Sequence, residues 1–123
     1  MTRWVRTLFS VHVVVALLLG AALLVAPGRL LATLGWAPID PILSRLLGAA
    51  LLALGWGSWR GLHLRNPADA RVLVEMDLAF CALGALGVLR HIAVARWPWT
   101  VWTLLVVLVA FAVAWGLARR KLA

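Results

Sequence analysis

Apolar residues in this chain fall into four long runs, Thr7 to Ala26, Ile42 to Trp59, Val72 to Leu89 and Trp97 to Ala118, and the charged residues lie mostly between them. Roughly 20 helical residues at about 1.5 Å rise cover the ~30 Å hydrocarbon core of a bilayer, and each run is about that long. The pattern predicts four transmembrane helices. Proline and its neighbours punctuate every boundary. Pro27-Gly28 is expected to stop the first helix, the proline breaking the hydrogen-bond ladder and the glycine taking a left-handed cap. Asp40-Pro41 reads as an N-cap followed by proline at the first helical position. Asn66-Pro67-Ala68-Asp69 repeats that device for the third helix, and Pro98 opens the fourth.

Connections of roughly 7 to 15 residues make sequential helices neighbours. The predicted fold is all-α, an antiparallel up-down-up-down four-helix transmembrane bundle that forms one domain over residues 1–123. Arg3 and Arg6 before an apolar run ending at Ala26-Pro27 look like the start of a signal peptide. The run of about 20 residues exceeds the 7 to 15 of a signal core, so it is expected to remain as the first span. Basic residues set the orientation. Arg3, Arg6, Arg60, Arg65, Arg71, Arg119, Arg120 and Lys121 fall on one side, against Arg29, Arg45, Arg90 and Arg96 on the other. Both termini are therefore expected in the cytoplasm.

Tryptophans fit the same frame. Trp4, Trp56, Trp59 and Trp115 are expected at the inner interface, and Trp36, Trp97, Trp99 and Trp102 at the outer one, as an aromatic belt. A ligand platform from Trp97, Trp99 and Trp102 is the sharper alternative. Small residues recur at helical spacing, as Ala16 and Gly20, Ala49, Ala53 and Gly57, Ala79 and Ala82, and Ala110, Ala114 and Ala118. These stripes are the expected contact seams, because helices in lipid associate by close packing. The string LLGAALL occurs twice, at Leu18–Leu24 and Leu46–Leu52. In so restricted an alphabet it is read as coincidence rather than as an internal repeat.

Composition narrows the function classes. With 65% hydrophobic residues and a mean hydropathy of +1.02, four spans leave nothing over for a water-soluble domain. The net charge of +8 is then juxtamembrane charge facing anionic lipid. It is not a nucleic-acid footprint, which needs a basic soluble face. The single cysteine, Cys81, excludes an internal disulfide and CxxC redox chemistry, and reads as a small packing residue. Eleven arginines to one lysine, with abundant Ala, Leu, Gly and Val, suit a GC-rich bacterial genome.

The exceptions to an apolar interior are His12 in the first span and Glu75 and Asp77 in the third. They lie four to six residues inside Arg6 and Arg71, about 6 to 9 Å deep at helical rise. Ionisable groups below the interface are candidate functional residues, since lipid makes them costly without a partner or water. Glu75 and Asp77 are about 200 degrees apart around a helix, so they are not a catalytic carboxylate pair. Glu75 shares a face with Arg71, Ala79 and Ala82. Asp77 shares one with Leu73, Cys81 and Gly84. Arg71 and Arg60 are the expected partners of Glu75, and Asp77 is expected to meet His12 or a backbone group. Arg45 and Arg90 at the opposite side are candidates for an anionic headgroup, with snorkelling as the alternative. His12, His63 and His91 are scattered, so bis-histidine haem ligation is not expected; a zinc site built from His12, Glu75 and Asp77 is the sharper alternative to ion pairing, and no metal, cofactor or catalytic residue is assigned.

The stretch from Pro38 to Arg60, PIDPILSRLLGAALLALGWGSWR, is followed by Asp69, Arg71 and a third span rich in small residues. It resembles bacterial four-helix integral membrane proteins similar to the DoxX-like families. The likeness lies in a proline loop, an arginine entering the second helix, a GAALL core and a tryptophan before a basic loop. It covers about half the chain and implies the fold and a bacterial inner membrane, with no implied activity. Small multidrug transporters have comparable length and span count, but this first span has no carboxylate. The expected role is an accessory or scaffold subunit acting through helix or lipid contacts, as a homo-oligomer or within a larger membrane complex. The alternative is a small proton-coupled transporter using the inner-leaflet carboxylates, with His12 as relay.

Overall fold

In a computed structural model of the chain, which describes residues 1–36 and 40–122, five α-helices and one 3-10 turn account for nearly all of it. Pro38, part of the family likeness, lies outside the described residues. The helices are α1 (Arg3–Val25), α2 (Pro27–Thr33), α3 (Pro41–Leu62), α4 (Arg71–Val94) and α5 (Trp99–Lys121), with the 3-10 turn at Pro67–Ala70 leading into α4. Four of them are long and apolar enough to cross a membrane. At 22 to 24 residues they are about 33 to 36 Å long, a few ångströms more than the hydrocarbon core. No strand occurs among the described residues.

Helix starts follow the capping rules. Thr2 Oγ1 accepts from the Val5 N–H at 3.4 Å. Asp40 Oδ1 accepts from both Ile42 N–H at 2.8 Å and Leu43 N–H at 3.0 Å, with Pro41 at the first helical position. Asn66 Oδ1 accepts from Ala68 N–H at 3.2 Å at the start of the 3-10 turn. Thr2, Asp40 and Asn66 satisfy donors that the helix itself leaves unpaired, while α4 and α5 begin without a side-chain cap, α5 directly after Pro98.

The first helix stops where expected, at Val25, with Ala26 out of helical geometry at φ −139° and ψ 61° just before Pro27, but Gly28 is not its left-handed cap: Pro27 starts α2, a second, short helix of seven residues, and Gly28 is helical within it. Proline is tolerated there because the first turn needs no N–H from it. The left-handed position is Gly35, with φ 74°, where the Trp36 N–H reaches back to the Leu31 carbonyl at 2.8 Å and closes the end of α2.

The chain divides into two compact units, Met1–Leu64 and Arg65–Ala123. In the first, α1 packs against α3. The buried stripe of α1 is Val5, Phe9, His12, Ala16, Gly20 and Leu23, and that of α3 is Gly48, Leu51, Gly55, Ser58 and Gly61. Steps of three and four residues keep each stripe on one helix face. Gly20 meets Gly48, Ala16 meets Gly55 and His12 meets Ser58, so the contacts descend α1 as they climb α3, the register of a helical hairpin. A Cβ on Gly48 would lie 2.7 Å from Leu24 N and 2.8 Å from Gly20 O, and one on Gly20 would lie 2.9 Å from Gly48 O. Backbone therefore touches backbone, which only glycine permits.

Two expectations about this seam are corrected. The inward small residues of α3 are Gly48 and Gly55; Ala49 and Ala53 are exposed and Gly57 is half-buried. The two LLGAALL strings also pack on each other, through their glycines and reciprocally through Leu24 and Leu52. Identical surfaces on helices of opposite sense make a locally two-fold contact, so the repeat has a structural use.

In the second unit α4 packs against α5. The contacts again run in opposite senses, Glu75 with Arg119 and Gly84 with Leu108. The meeting at Gly84 is looser, since a Cβ there would lie 3.5 Å from the Leu108 side chain. The buried positions of α4 are Val74, Asp77 and Cys81, not the expected Ala79 and Ala82, of which the first is exposed and the second half-buried. On α5 the buried residues are Val101, Trp115 and Ala118, while Ala110 is exposed and Ala114 half-buried. Large apolar side chains such as Leu18, Ile42, Leu83 and Val94 point outward in both units. Apolar side chains outside, with the polar His12, Ser58 and Asp77 kept inside among apolar neighbours, is the arrangement a lipid solvent favours.

Candidate functional site

A polar residue on the buried stripe of α1 forces a partner from whatever packs against it. His12 is 5% exposed, and its Nδ1 lies 2.7 Å from the Oγ of Ser58, which is 1% exposed. Ser58 donates to Nδ1 in one imidazole tautomer and accepts from it in the other. Ser58 was not singled out by the sequence reading. The signal that finds it is its place three residues after Gly55 and ten after Gly48, on the glycine face of α3. A hydroxyl on the closest-packed face of a transmembrane helix must hydrogen-bond across that seam.

This pair is not a working nucleophile in the present geometry. Acyl transfer needs the hydroxyl open to a carbonyl carbon and oxyanion donors beside it. Ser58 presents almost no surface to any ligand. The pair instead ties α1 to α3 at a fixed register, because sliding either helix would break a hydrogen bond between two buried polar groups.

In the second unit the two carboxylates separate as the helix geometry requires. Asp77 is 2% exposed and sits on the inward stripe between Val74 and Cys81. Glu75 faces the outside, where its Oε1 accepts from Arg71 Nε–H at 3.1 Å and from Arg119 Nε–H at 2.8 Å. The expected partner Arg71 is present one turn back on α4. The second guanidinium comes from α5, which the sequence reading did not name. It can be found from the fold alone: a hairpin that brings the start of α4 beside the end of α5 places the basic last turn of α5 next to Glu75.

The remaining candidates lie on surfaces. Arg60, Arg45 and Arg90 are exposed. Cys81 is buried and free. Among the described residues no three His, Cys, Asp or Glu side chains group closely enough to hold a metal ion. Trp56 stacks on Trp59 at 5.0 Å between ring centroids and Trp59 on His63 at 4.7 Å. His63 Nδ1–H donates to the Trp59 carbonyl at 2.8 Å, which pins this ladder at the end of α3. Trp99 and Trp102 are exposed on α5, while Trp97 stacks on His91 at 4.5 Å. Trp115 departs from the expected belt: it is fully buried, the largest side chain in the interior, and fills volume rather than marking an interface. Comparison with models of known families, with curated proteins and with solved structures gives no match to this chain.

Proposed function

We propose that this chain is a multi-pass protein of the bacterial inner membrane that acts as an accessory or scaffold subunit, through contacts of its helices with lipid and with further helices. Its four spans form an antiparallel bundle with both termini in the cytoplasm, the side that gathers eight of the twelve basic residues. The observation that supports the role is a surplus of small residues. The α1–α3 seam uses Ala16, Gly20, Gly48 and Gly55, yet Ala49 and Ala53 stand exposed one turn apart on α3 and Ala79 and Gly87 are exposed on α4. Small residues at helical spacing on a lipid-facing surface permit a further helix to approach closely. The resemblance of the Pro38–Arg60 stretch to DoxX-like proteins agrees with a bacterial inner membrane.

Cross-linking in native membranes tests this role. A chain with Cys81→Ala and a single Ala53→Cys is expected to form a disulfide-linked homodimer, or a defined adduct with a partner of the complex. Monomers alone, both in cross-linking and in native mass spectrometry, with no protein co-purifying in mild detergent, would refute it.

A second reading is favoured by the burial of Asp77: a small proton-coupled transporter in which Asp77 takes up and releases the proton. Glu75, engaged by two arginines, is unsuited to that task. Loss of pH-driven substrate flux in proteoliposomes on Asp77→Asn supports it; unchanged flux sinks it.

A further inference from the structure

Charge in the second unit is concentrated at the end where α4 begins and α5 finishes. Arg71 is the first residue of α4 and Arg119 is in the last turn of α5, and one oxygen of Glu75 receives an Nε–H from each. Two like charges are thereby held together at a fixed spacing. The bonds to Glu75 occupy one of the five N–H donors of each guanidinium and leave the paired Nη groups, which can bind two oxygens of a phosphate in parallel. Both arginine side chains remain nearly half exposed, at 45% and 49%. Arg120 and Lys121 follow in the same turn, and Arg65 and Asp69 precede α4. That end holds five basic residues against three acidic ones, Asp69, Glu75 and the buried Asp77.

We infer that the Glu75-bridged pair of Arg71 and Arg119 is a binding site for the phosphate of an anionic glycerophospholipid. Three features select that ligand. The two guanidiniums and one carboxylate carry a net charge of +1, which matches a phosphodiester monoanion better than a free phosphate near −2. The site lies at the ends of two spanning helices, at the depth of the headgroups. Exposed apolar residues on the Glu75 face of α4, Ala79 and Leu86, continue from it along the span and give acyl chains a surface. Arg120 and Lys121 add the long-range attraction that a juxtamembrane basic cluster exerts on anionic lipid. The inference rests on the four helices crossing a membrane and is independent of whether the protein is a subunit or a transporter.

Native mass spectrometry of the full chain in detergent, with phosphatidylglycerol and phosphatidylcholine of identical acyl chains in competition, measures the site. Wild type is expected to retain phosphatidylglycerol selectively. Arg119→Gln and Arg71→Gln should each lower that selectivity about fivefold, the factor for one basic residue near a headgroup. Arg29→Gln, in the other unit, should leave it unchanged. Arg119→Lys keeps the charge but loses the planar fork, and should fall between wild type and Arg119→Gln. Equal retention of both lipids, equal losses from Arg29→Gln and Arg119→Gln, or full selectivity in Arg119→Lys would each overturn the assignment. So would displacement of the lipid by millimolar inorganic phosphate, which would mark a free-anion site. Thermal unfolding of each variant identifies any that is misfolded; selectivity lost only in misfolded variants, and kept in folded Arg71→Gln, counts against the site.

Discussion

Replacing Gly48 by alanine adds one methyl group at the tightest point of the α1–α3 seam. Its three nearest neighbours would be Leu24 N at 2.7 Å, Gly20 O at 2.8 Å and Leu23 C at 3.1 Å, all backbone atoms with no rotamer to adopt. Relief needs the helices to part until the closest contact reaches at least 3.4 Å. A gap of about 0.5 to 1 Å forfeits a quarter to a half of each dispersion contact along the seam. In lipid no hydrophobic force compensates, because the tails are as apolar as the helix faces. Overpacking of this kind costs about 1 to 3 kcal/mol, against a gain of at most ~1 kcal/mol in helix propensity. Gly48→Ala is therefore expected to be clearly destabilising. The neighbours grade the series. Gly20→Ala, at 2.9 Å from backbone, should follow closely. Gly55→Ala should cost less, since its nearest atom is the Ala16 methyl at 3.2 Å, and Gly87→Ala, with nothing within 4 Å, should be neutral or slightly stabilising. Unfolding of the detergent-solubilised protein by titrated dodecyl sulfate, followed by far-ultraviolet circular dichroism, gives the order. Indistinguishable midpoints for Gly48→Ala and Gly87→Ala would refute the backbone-contact argument. Combining Gly20→Ala with Gly48→Ala should cost less than the sum, because the first substitution has already opened the seam that the second needs opened.

Truncating either His12 or Ser58 to alanine takes a hydrogen bond from its buried partner, at about 1 to 3 kcal/mol each, and the double-mutant cycle in the same titration should return a coupling of ~0.5 to 1.5 kcal/mol; additive losses would mean that the 2.7 Å contact contributes nothing. Asp40→Ala removes the acceptor for two amides at the start of α3 and should destabilise by about 0.5 to 2 kcal/mol, while Asp40→Asn, which still caps, should be nearly silent. Cys81 is 3% exposed, so a maleimide should label it only after dodecyl sulfate unfolding; rapid labelling of the folded protein would contradict its place on the inward stripe of α4.

Much of the fold was legible because lipid acts on run length. Four apolar runs bounded by proline and capping residues became four long helices; six of their eight ends lie one to five residues beyond the runs, since helices continue through the headgroup region where charged residues such as Arg3 and Arg119 are welcome, while α1 stops one residue short before Pro27 and α5 starts two residues late after Pro98. Pro27 marked the end of α1, but Gly28 misled: the same proline begins α2, so the glycine falls in that helix's first turn instead of capping α1. Position around each helix was harder. On α3, Gly48-Gly55 and Ala49-Ala53-Gly57 are small-residue stripes one residue out of phase, about 100 degrees apart. Size alone does not say which faces inward, as both would accept a close neighbour.

Polarity breaks that tie. Ser58 belongs with Gly48 and Gly55, and His12 belongs with Ala16 and Gly20 on the facing helix. A buried imidazole needs a hydrogen-bonding partner, so the stripe that carries a hydroxyl at the matching height is the inner one. The same reasoning sorts α4, where Asp77 marks the inward face and leaves Glu75, 200 degrees away, outside among arginines. The rare polar groups thus specify the rotation of helices whose apolar residues specify only that they cross the membrane. Register and rotation would degrade before helicity if these groups were removed. A chain with His12→Leu, Ser58→Ala and Asp77→Leu should therefore keep its far-ultraviolet spectrum while its tryptophan emission, dominated in the interior by Trp115, broadens and shifts.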